Sequence, residues 1–168
     1  MPKSDQGDCS ERYQVIPRTL IFVTQKDCVL LIKGSPSKRL WANQYNGLGG
    51  HIERGEDVVS AAYRELAEEA GVLVKSLYLV GTLLVDASDG VGICLFVMRG
   101  EYLEGDVKAS AEGTPEWVRI ERLDEYPLVE DLKQILPRVL SISPGDAPFS
   151  ARSFYDGDEK LRVLFGSK

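Results

Sequence analysis

Long apolar runs are absent from this sequence of 168 residues. A transmembrane helix needs roughly 18 or more consecutive apolar residues, and no stretch approaches that length. The first residues also lack the apolar stretch of a signal peptide. We therefore expect a cytoplasmic protein with no membrane partner.

Cysteine and histidine are scarce. There is one histidine, and the three cysteines are Cys9, Cys28 and Cys94. Their number is odd, their spacing is wide, and they form no Cys-x-x-Cys or Cys/His metal pattern, which argues against a disulfide framework or a zinc site. We expect reduced thiols, and the simpler interpretation of Cys28 and Cys94 is that they are core residues.

Basic residues are outnumbered, with 20 Lys and Arg against 26 Asp and Glu and a formal net charge of -6. Proteins that bind polymeric nucleic acid rely on clustered Lys and Arg side chains to neutralise the phosphate backbone. The acidic balance therefore weighs against a polymeric nucleic acid partner. A small anionic substrate that binds through metal ions remains compatible with it.

Apolar residues make up 43% of the chain. A chain of this length can bury roughly 70% of its unfolded surface, so it needs no disulfides to hold a core. Residues 1–13 are polar and lack periodicity, which predicts a flexible N-terminal tail. Residues 14–168 show no repeat or linker and are predicted to form a single domain. No feature of the sequence indicates an oligomeric state.

Hydrophobic periodicity and turn residues predict two helices and several strands. Hairpins are predicted for residues 19–23 with 29–33 and for 149–155 with 160–165, and a long loop for 34–50. Further strands are predicted at 72–74, 77–85, 91–98 and 116–120, the third of them central in a sheet because it is almost wholly apolar. Helices are predicted at 58–70, with Asp57 and Gly71 at its ends, and at 128–140, where Pro137 would kink or split the helix.

Three carboxylates share one edge of the first predicted helix. Glu65, Glu68 and Glu69 stand at i, i+3 and i+4, and like charges at this spacing destabilise a helix by about 0.2–0.5 kcal/mol per pair. The arrangement needs a compensating partner, for which a hard divalent cation such as Mg²⁺ is one candidate. A solvated acidic helix face is the alternative.

The three glutamates belong to a longer motif that runs from Gly50 to Val72. It reads GHIERGEDVVSAAYRELAEEAGV and matches the pattern G-x5-E-x7-R-E-U-x-E-E-x-G-U, where U is a bulky apolar residue. Seven fixed identities at about one in twenty each arise by chance at a given start with a probability on the order of 10⁻⁹. In this pattern the chain resembles the Nudix hydrolase superfamily. The resemblance implies an α/β (α+β) fold, an α/β/α sandwich with a mixed β-sheet between helices.

Several motif positions have a structural reason. Gly50 is expected to let the chain turn tightly before the helix, and Gly71 to supply a left-handed C-cap. Leu66 lies between the acids but is expected to face the core and anchor the acidic edge. Arg64 is expected to pair with an acid such as Glu56 and hold a side chain in place.

The resemblance implies a metal-dependent reaction. Glu65, Glu68 and Glu69 would bind Mg²⁺, or Mn²⁺ in its place, with the Gly49 carbonyl and Glu112 of a later loop as further ligands. Glu112 could equally be a plain surface residue. The implied reaction is hydrolysis of a nucleoside diphosphate linked to a further group by attack of water on phosphorus, with Glu65 or Glu112 as the base.

Outside the motif, the run Gln44-Tyr-Asn-Gly-Leu-Gly-Gly50 resembles MutT-type enzymes, and most of all the animal enzymes that remove oxidised purine nucleoside triphosphates such as 8-oxo-dGTP from the nucleotide pool. The resemblance implies that Asn46 binds the base and that Asp131 reads its edge, although turn chemistry at Asn46 and the start of a helix at Asp131 are alternatives. Lys33 borders the loop and is a candidate phosphate contact. Val129 replaces a stacking tryptophan, which leaves purine selectivity open. Hydrolases of ADP-ribose or of dinucleoside polyphosphates, and a noncatalytic nucleotide sensor, are the competing hypotheses.

Overall fold

The computed structural model describes residues 12–37, 39–88 and 90–166. Most of the predicted tail, residues 1–11, lies outside this range, as does Cys9. The first strand begins at Gln14. The eight strands are β1 Gln14–Gln25, β2 Cys28–Gly34, β3 Tyr45–Asn46, β4 Leu73–Ser88, β5 Val91–Glu104, β6 Gly113–Arg119, β7 Phe149–Tyr155 and β8 Leu161–Phe165. The helices are α1 Val58–Glu69 and α2 Leu132–Ser141, and a 3-10 helix spans Ile120–Glu125.

The strands form one mixed sheet in the order β3-β2-β1-β5-β4-β7-β8, with β6 paired to β2. The pairs β1/β5 and β4/β7 are parallel, and the others are antiparallel. The predicted central position of the apolar strand is confirmed, because β5 lies between β1 and β4. Both predicted hairpins are also confirmed, as β1/β2 and β7/β8.

Each face of the sheet carries one helix. Leu66 and Ala62 of α1 pack with Ile21, Ile32 and Met98 of the sheet. A separate cluster joins α2 to the opposite face. Side chains alternate between faces along a strand, so consecutive residues such as Ile21 and Phe22 enter different clusters. This arrangement has the predicted layers, a mixed sheet between helices. None of the helices within the described ranges is long and apolar enough to cross a membrane.

The long loop predicted for residues 34–50 contains one short strand, β3. The amide of Gly34 donates to the carbonyl of Gln44 at 2.9 Å, and the amide of Asn43 donates to the carbonyl of Gly34 at 3.0 Å, which closes the base of a loop. The chain then enters β3, which pairs with β2. Glycine and asparagine indicated a loop because they signal turns, but long-range pairing with β2 orders this stretch.

Two further predictions need correction. The two strands predicted at 72–74 and 77–85 are one strand, β4, whose bulges carry the polar residues between them.

Helix α2 begins at Leu132 and is not split, since it continues through Pro137. Leu128 and Val129 are buried as a helical face would be, but they lie beside Tyr45, where the Val129 amide donates to the Tyr45 carbonyl at 3.0 Å.

Cys28 and Cys94 are free cysteines. Both are only half-buried and belong to neither buried core cluster, so the expectation that they are core residues was wrong. Each lies on a strand whose neighbours reach the core. Burial nevertheless raises the pKa of the Cys94 thiol.

Ser153 provides a test of packing on the α2 side of the sheet. Its side chain is completely buried, and its Oγ has no hydrogen-bond partner within the described ranges. Since an unsatisfied buried hydroxyl costs about 1–3 kcal/mol, we expect Ser153→Ala to raise the free energy of unfolding by about 1 kcal/mol in urea denaturation. Ser150→Ala, at an exposed position of the same strand, should change it by less than about 0.5 kcal/mol. A destabilised Ser153→Ala variant would contradict this assignment.

Candidate active site

Backbone hydrogen bonds to strand β1 fix the position of residues that precede α1. Leu48 exchanges two backbone hydrogen bonds with Ile21, at 2.7 and 3.0 Å, and the Thr19 amide donates to the carbonyl of Gly50 at 2.9 Å. Gly49 has φ +123°, a conformation that L side chains rarely adopt, and a Cβ there would collide with the Thr19 carbonyl. The main chain of residues 48–50 therefore lies directly on β1.

Both ends of α1 are formed as the sequence predicts. The Asp57 carboxylate accepts hydrogen bonds from the amides of Val59 and Ser60 at 2.9 and 3.0 Å, which satisfies two free donors of the first turn. Hydrogen bonds from Ser60 and Val59 lower the pKa of Asp57. At the other end, Gly71 has φ +67° and its amide donates to the Leu66 carbonyl at 3.0 Å. Only a residue that tolerates the left-handed region ends the helix in this way.

The three glutamates differ in exposure. Glu65 and Glu69 are buried, at 9% and 7% exposure, on either side of the fully buried Leu66. The side chain of Glu68 is 59% exposed. The Glu69 carboxylate accepts a hydrogen bond from the Gly49 amide at 2.7 Å, which joins the end of α1 to the segment on β1. The predicted burial of Leu66 is confirmed.

Gly50 has a different role from the one predicted. It does not occupy the positive-φ region. A Cβ at this position would lie 2.5 Å from Oε1 and 2.9 Å from Oε2 of Glu65. Glycine is needed here because the Glu65 carboxylate lies against the main chain, and not because the chain makes a strained turn.

Arg64 connects the acids of the motif. Its Nε and Nη2 donate to the two carboxylate oxygens of Glu56 at 2.7 and 3.0 Å, so the predicted pairing is confirmed. Its Nη1 donates to Glu65 at 2.9 Å and to Glu68 at 3.1 Å. These hydrogen bonds raise the pKa of Arg64 and lower that of Glu56. The guanidinium thus supplies part of the compensation that the repelling glutamates require.

The side chains predicted to bind metal have the chemistry that a divalent cation requires. Their carboxylate oxygens are hard ligands of the kind that Mg²⁺ prefers, and Glu65 and Glu69 are held against the main chain of residues 49–50. In the part of the chain that the structure describes, no three acidic, histidine or cysteine side chains converge as a complete metal site. The ligand roles of Gly49, Glu65, Glu68 and Glu69 therefore stay predictions.

Glu112 immediately precedes β6 and is exposed. Its carbonyl accepts a hydrogen bond from the Ser35 amide at 3.3 Å, and its own amide donates to Ser110 Oγ at 3.2 Å. These contacts fix its backbone beside the end of β2. Its role as a further metal ligand or base stays a prediction.

The two residues expected to read the base lie on segments that meet at Tyr45, where the Val129 amide donates to the Tyr45 carbonyl. Asn46 is opposite Ile32 of the α1-side cluster, and its Oδ1 accepts the Gly47 amide at 2.8 Å, which is the turn chemistry considered above. Asp131 immediately precedes α2 and is half-buried, and burial raises its pKa. The roles of Asn46 and Asp131 in binding a base stay predictions.

Sequence reasoning missed two residues near Lys33. Tyr45 is buried, and its hydroxyl donates to Oε2 of Glu116 at 2.7 Å. Lys33 Nζ lies 5.8 Å from the centre of the Tyr45 ring. The tyrosine itself was the available signal, since a tyrosine hydroxyl needs a partner when it is buried. Nothing in the local sequence pointed to Glu116.

The NUDIX domain family matches the chain over residues 15–139. The chain therefore belongs to the Nudix family, whose members hydrolyse pyrophosphate bonds of nucleotides. Among solved structures, a MutT protein from Bacillus halodurans superposes with a TM-score of 0.75 at 26% identity, over 89% of this chain and 97% of that one. The predicted family and α+β fold class are thus confirmed.

Two curated relatives carry different names. Oxidized purine nucleoside triphosphate hydrolase from Danio rerio is 32% identical over 106 residues, which cover 62% of this chain and 67% of that protein. NAD-capped RNA hydrolase NudC from Pseudomonas aeruginosa is 38% identical over 113 residues, 66% of this chain but only 38% of that protein. Family membership alone thus leaves the substrate open.

The depressed pKa of Glu56 predicts acid-sensitive stability. Its hydrogen bonds with Arg64 hold the pKa below the ordinary 4.5, so its contribution is present above about pH 4.5 and is lost as the pH falls through the lowered value. We expect Glu56→Gln to be less stable than wild type in urea denaturation at about pH 7, and this difference to shrink towards about pH 3.

Glu104→Gln provides a matched control for this prediction, because Glu104 is an exposed residue at the end of β5. It should follow the wild type at each pH. A stability difference between Glu56→Gln and wild type that stays constant from about pH 7 to pH 3 would show that the ionised carboxylate is not what stabilises the fold.

Proposed function

We propose that this Nudix hydrolase is a Mg²⁺-dependent diphosphatase that converts a nucleoside triphosphate, of the 8-oxo-dGTP or a related oxidised purine class, to the monophosphate and pyrophosphate. The observation that carries the proposal is the docking of the glutamate edge of α1 on residues 49–50, where Glu69 accepts the Gly49 amide and Glu65 lies against Gly50. Similarity to the Danio rerio hydrolase supports the substrate class. Such an enzyme would act on the cytoplasmic nucleotide pool.

Glu65, Glu68 and Glu69 would hold the metal with the Gly49 carbonyl, and Glu112 is the candidate further ligand. Bound Mg²⁺, or Mn²⁺ in its place, would neutralise phosphate charge and lower the pKa of the attacking water. The remaining steps depend on the chain itself. Glu65 or Glu112 would accept the proton of the attacking water.

Arg64 acts as a positioning residue in this mechanism. Its planar guanidinium binds Glu56 through two parallel hydrogen bonds and uses its remaining nitrogen for Glu65 and Glu68. A lysine could not satisfy this geometry, because it offers a single charged centre. Arg64 thereby fixes the side chains of Glu65 and Glu68 relative to Glu56, which lies in the segment before the helix.

A second candidate substrate, NAD-capped RNA, follows from the similarity to the NAD-capped RNA hydrolase NudC. ADP-ribose and dinucleoside polyphosphates also contain the required pyrophosphate bond. A noncatalytic sensor is the remaining alternative, although all acids of the motif are present.

A substrate panel tests the proposed function. We expect purified protein with Mg²⁺ to hydrolyse 8-oxo-dGTP to the monophosphate and pyrophosphate. Its kcat/KM for this substrate should exceed that for hydrolysis of ordinary triphosphates, ADP-ribose, diadenosine polyphosphates, NAD or a short NAD-capped RNA. AMP and ribose phosphate from ADP-ribose as the main products would replace this proposal. Binding without turnover of any compound would favour the sensor.

Removing single carboxylate charges tests the site. We expect Glu65→Gln and Glu69→Gln each to lower kcat by two or more orders of magnitude, since these carboxylates are assigned to metal and proton transfer. Glu104→Gln should retain wild-type kcat. Circular dichroism would check that all three variants fold. Full activity in both site variants would overturn the assignment.

A further inference from the structure

A polar cavity of about 230 Å³ lies beside the short strand β3, outside the glutamate edge. It is bordered by the ends of β2 and β6 and by the loop between β2 and β3. The charged side chains that line it are Lys33 and Glu116, and its other polar residues are Ser35, Asn43 and Thr114. A cavity with both charges and several hydroxyl or amide groups is suited to a ligand that has both hydrogen-bond donors and acceptors.

Strand register explains why these side chains meet. Lys33 pairs with Tyr45 on one side and with Thr114 on the other, and Leu31 pairs with Glu116. Residues two apart on a strand share a face, so Lys33, Tyr45, Thr114 and Glu116 all lie on the α2 side of the sheet. The two charged groups therefore reach the same cavity from neighbouring strands.

Tyr45 fixes the orientation of Glu116. Its ring is 5% exposed and contacts the Tyr126 ring edge-on, with 5.2 Å between centres. Its hydroxyl donates to Oε2 of Glu116 at 2.7 Å. Burial and this hydrogen bond raise the pKa of Tyr45 to about 12, so the hydroxyl remains a donor at neutral pH. Oε1 of the carboxylate stays available to a ligand, and its two lone pairs can accept two hydrogen bonds.

No ion pair joins Lys33 and Glu116 in the described part of the chain, and Lys33 instead lies over the Tyr45 ring. The cavity thus presents an acceptor-only group and a donor-only group side by side. A ligand that offers N–H donors next to a carbonyl oxygen would satisfy both.

The cavity adjoins the loop that carries Glu112, the candidate further metal ligand. Ser35 lines the cavity, and its amide donates to the carbonyl of Glu112 at 3.3 Å. A nucleotide whose base occupies the cavity can therefore place its phosphates beside Glu112, at this end of the sheet.

We propose that this cavity is the base subsite and that Glu116 and Lys33 select bases with a ring N–H beside a carbonyl oxygen, as in guanine. This inference rests on the proposed function and names its specificity residues. Glu116 accepts from the ring N–H and the amino group, and Lys33 donates to the carbonyl oxygen. Adenine lacks the carbonyl and leaves Lys33 unpaired. Tyr45 is the positioning residue of the pair.

The test measures kcat/KM for dGTP, dITP and dATP with Mg²⁺. dITP keeps the carbonyl and ring N–H but lacks the amino group. We expect the wild type to prefer dGTP and dITP to dATP, and Glu116→Gln and Lys33→Met to reduce this preference roughly tenfold, mainly through KM, because each loses a charge-assisted hydrogen bond. Tyr45→Phe keeps the ring and should reduce it by a smaller factor.

A merely structural role for these residues would lower activity on all three nucleotides alike and leave their ratio unchanged, which would overturn the inference. Glu104→Gln is the matched control and should keep the wild-type ratio. Calorimetric binding of dGMP and dAMP to the wild type and Glu116→Gln provides a readout that does not depend on turnover.

The two proposals fail in different ways. Hydrolysis with a base preference that Glu116→Gln does not change overturns the subsite alone. Preferred binding of dGMP that depends on Glu116, in a protein that hydrolyses no compound of the panel, overturns the proposed function alone. Equal binding of dGMP and dAMP by a protein without hydrolytic activity overturns both.

Discussion

The site depends on the contact between two buried carboxylates and a stretch of main chain without side chains. Glu69 accepts the Gly49 amide, and Glu65 occupies the space that a Cβ at Gly50 would fill. Burying a charged group is costly unless it is hydrogen-bonded, so these contacts decide where α1 can dock. Hydrogen bonds from residues 48 and 50 to β1 fix this stretch of main chain, and the helix docked on it, relative to the sheet.

Arg64 resolves the electrostatic problem that this docking creates. Glutamates at i, i+3 and i+4 repel one another, and the guanidinium is adjacent to two of them while Glu56 holds it from the preceding segment. Glu56 is thus connected to the acidic edge through one cation. This network lies at the boundary between the buried and exposed faces of α1, where solvent screens it only in part.

The helix α1, both hairpins and the central strand followed from the sequence, because their signals are local: apolar periodicity, Asp57 and Gly71 at the helix ends, and turn residues between strands. The position of Gly50, the continuity of β4 and the start of α2 did not follow. Each depends on contacts between residues far apart in sequence, such as Gly50 with Glu65 or Val129 with Tyr45. The pair formed by Tyr45 and Glu116 was missed for the same reason.

The loop that follows β2 is closed at its base by the hydrogen bonds among Gly34, Asn43 and Gln44. Its two ends are therefore fixed relative to each other whatever its length, and the free energy of closing a loop rises only slowly with added residues. Insertions or substitutions between these ends would alter the rim of the neighbouring cavity without moving α1. The fold thus separates a segment that tolerates changes in length and sequence from the carboxylates of α1 that are docked on residues 49–50.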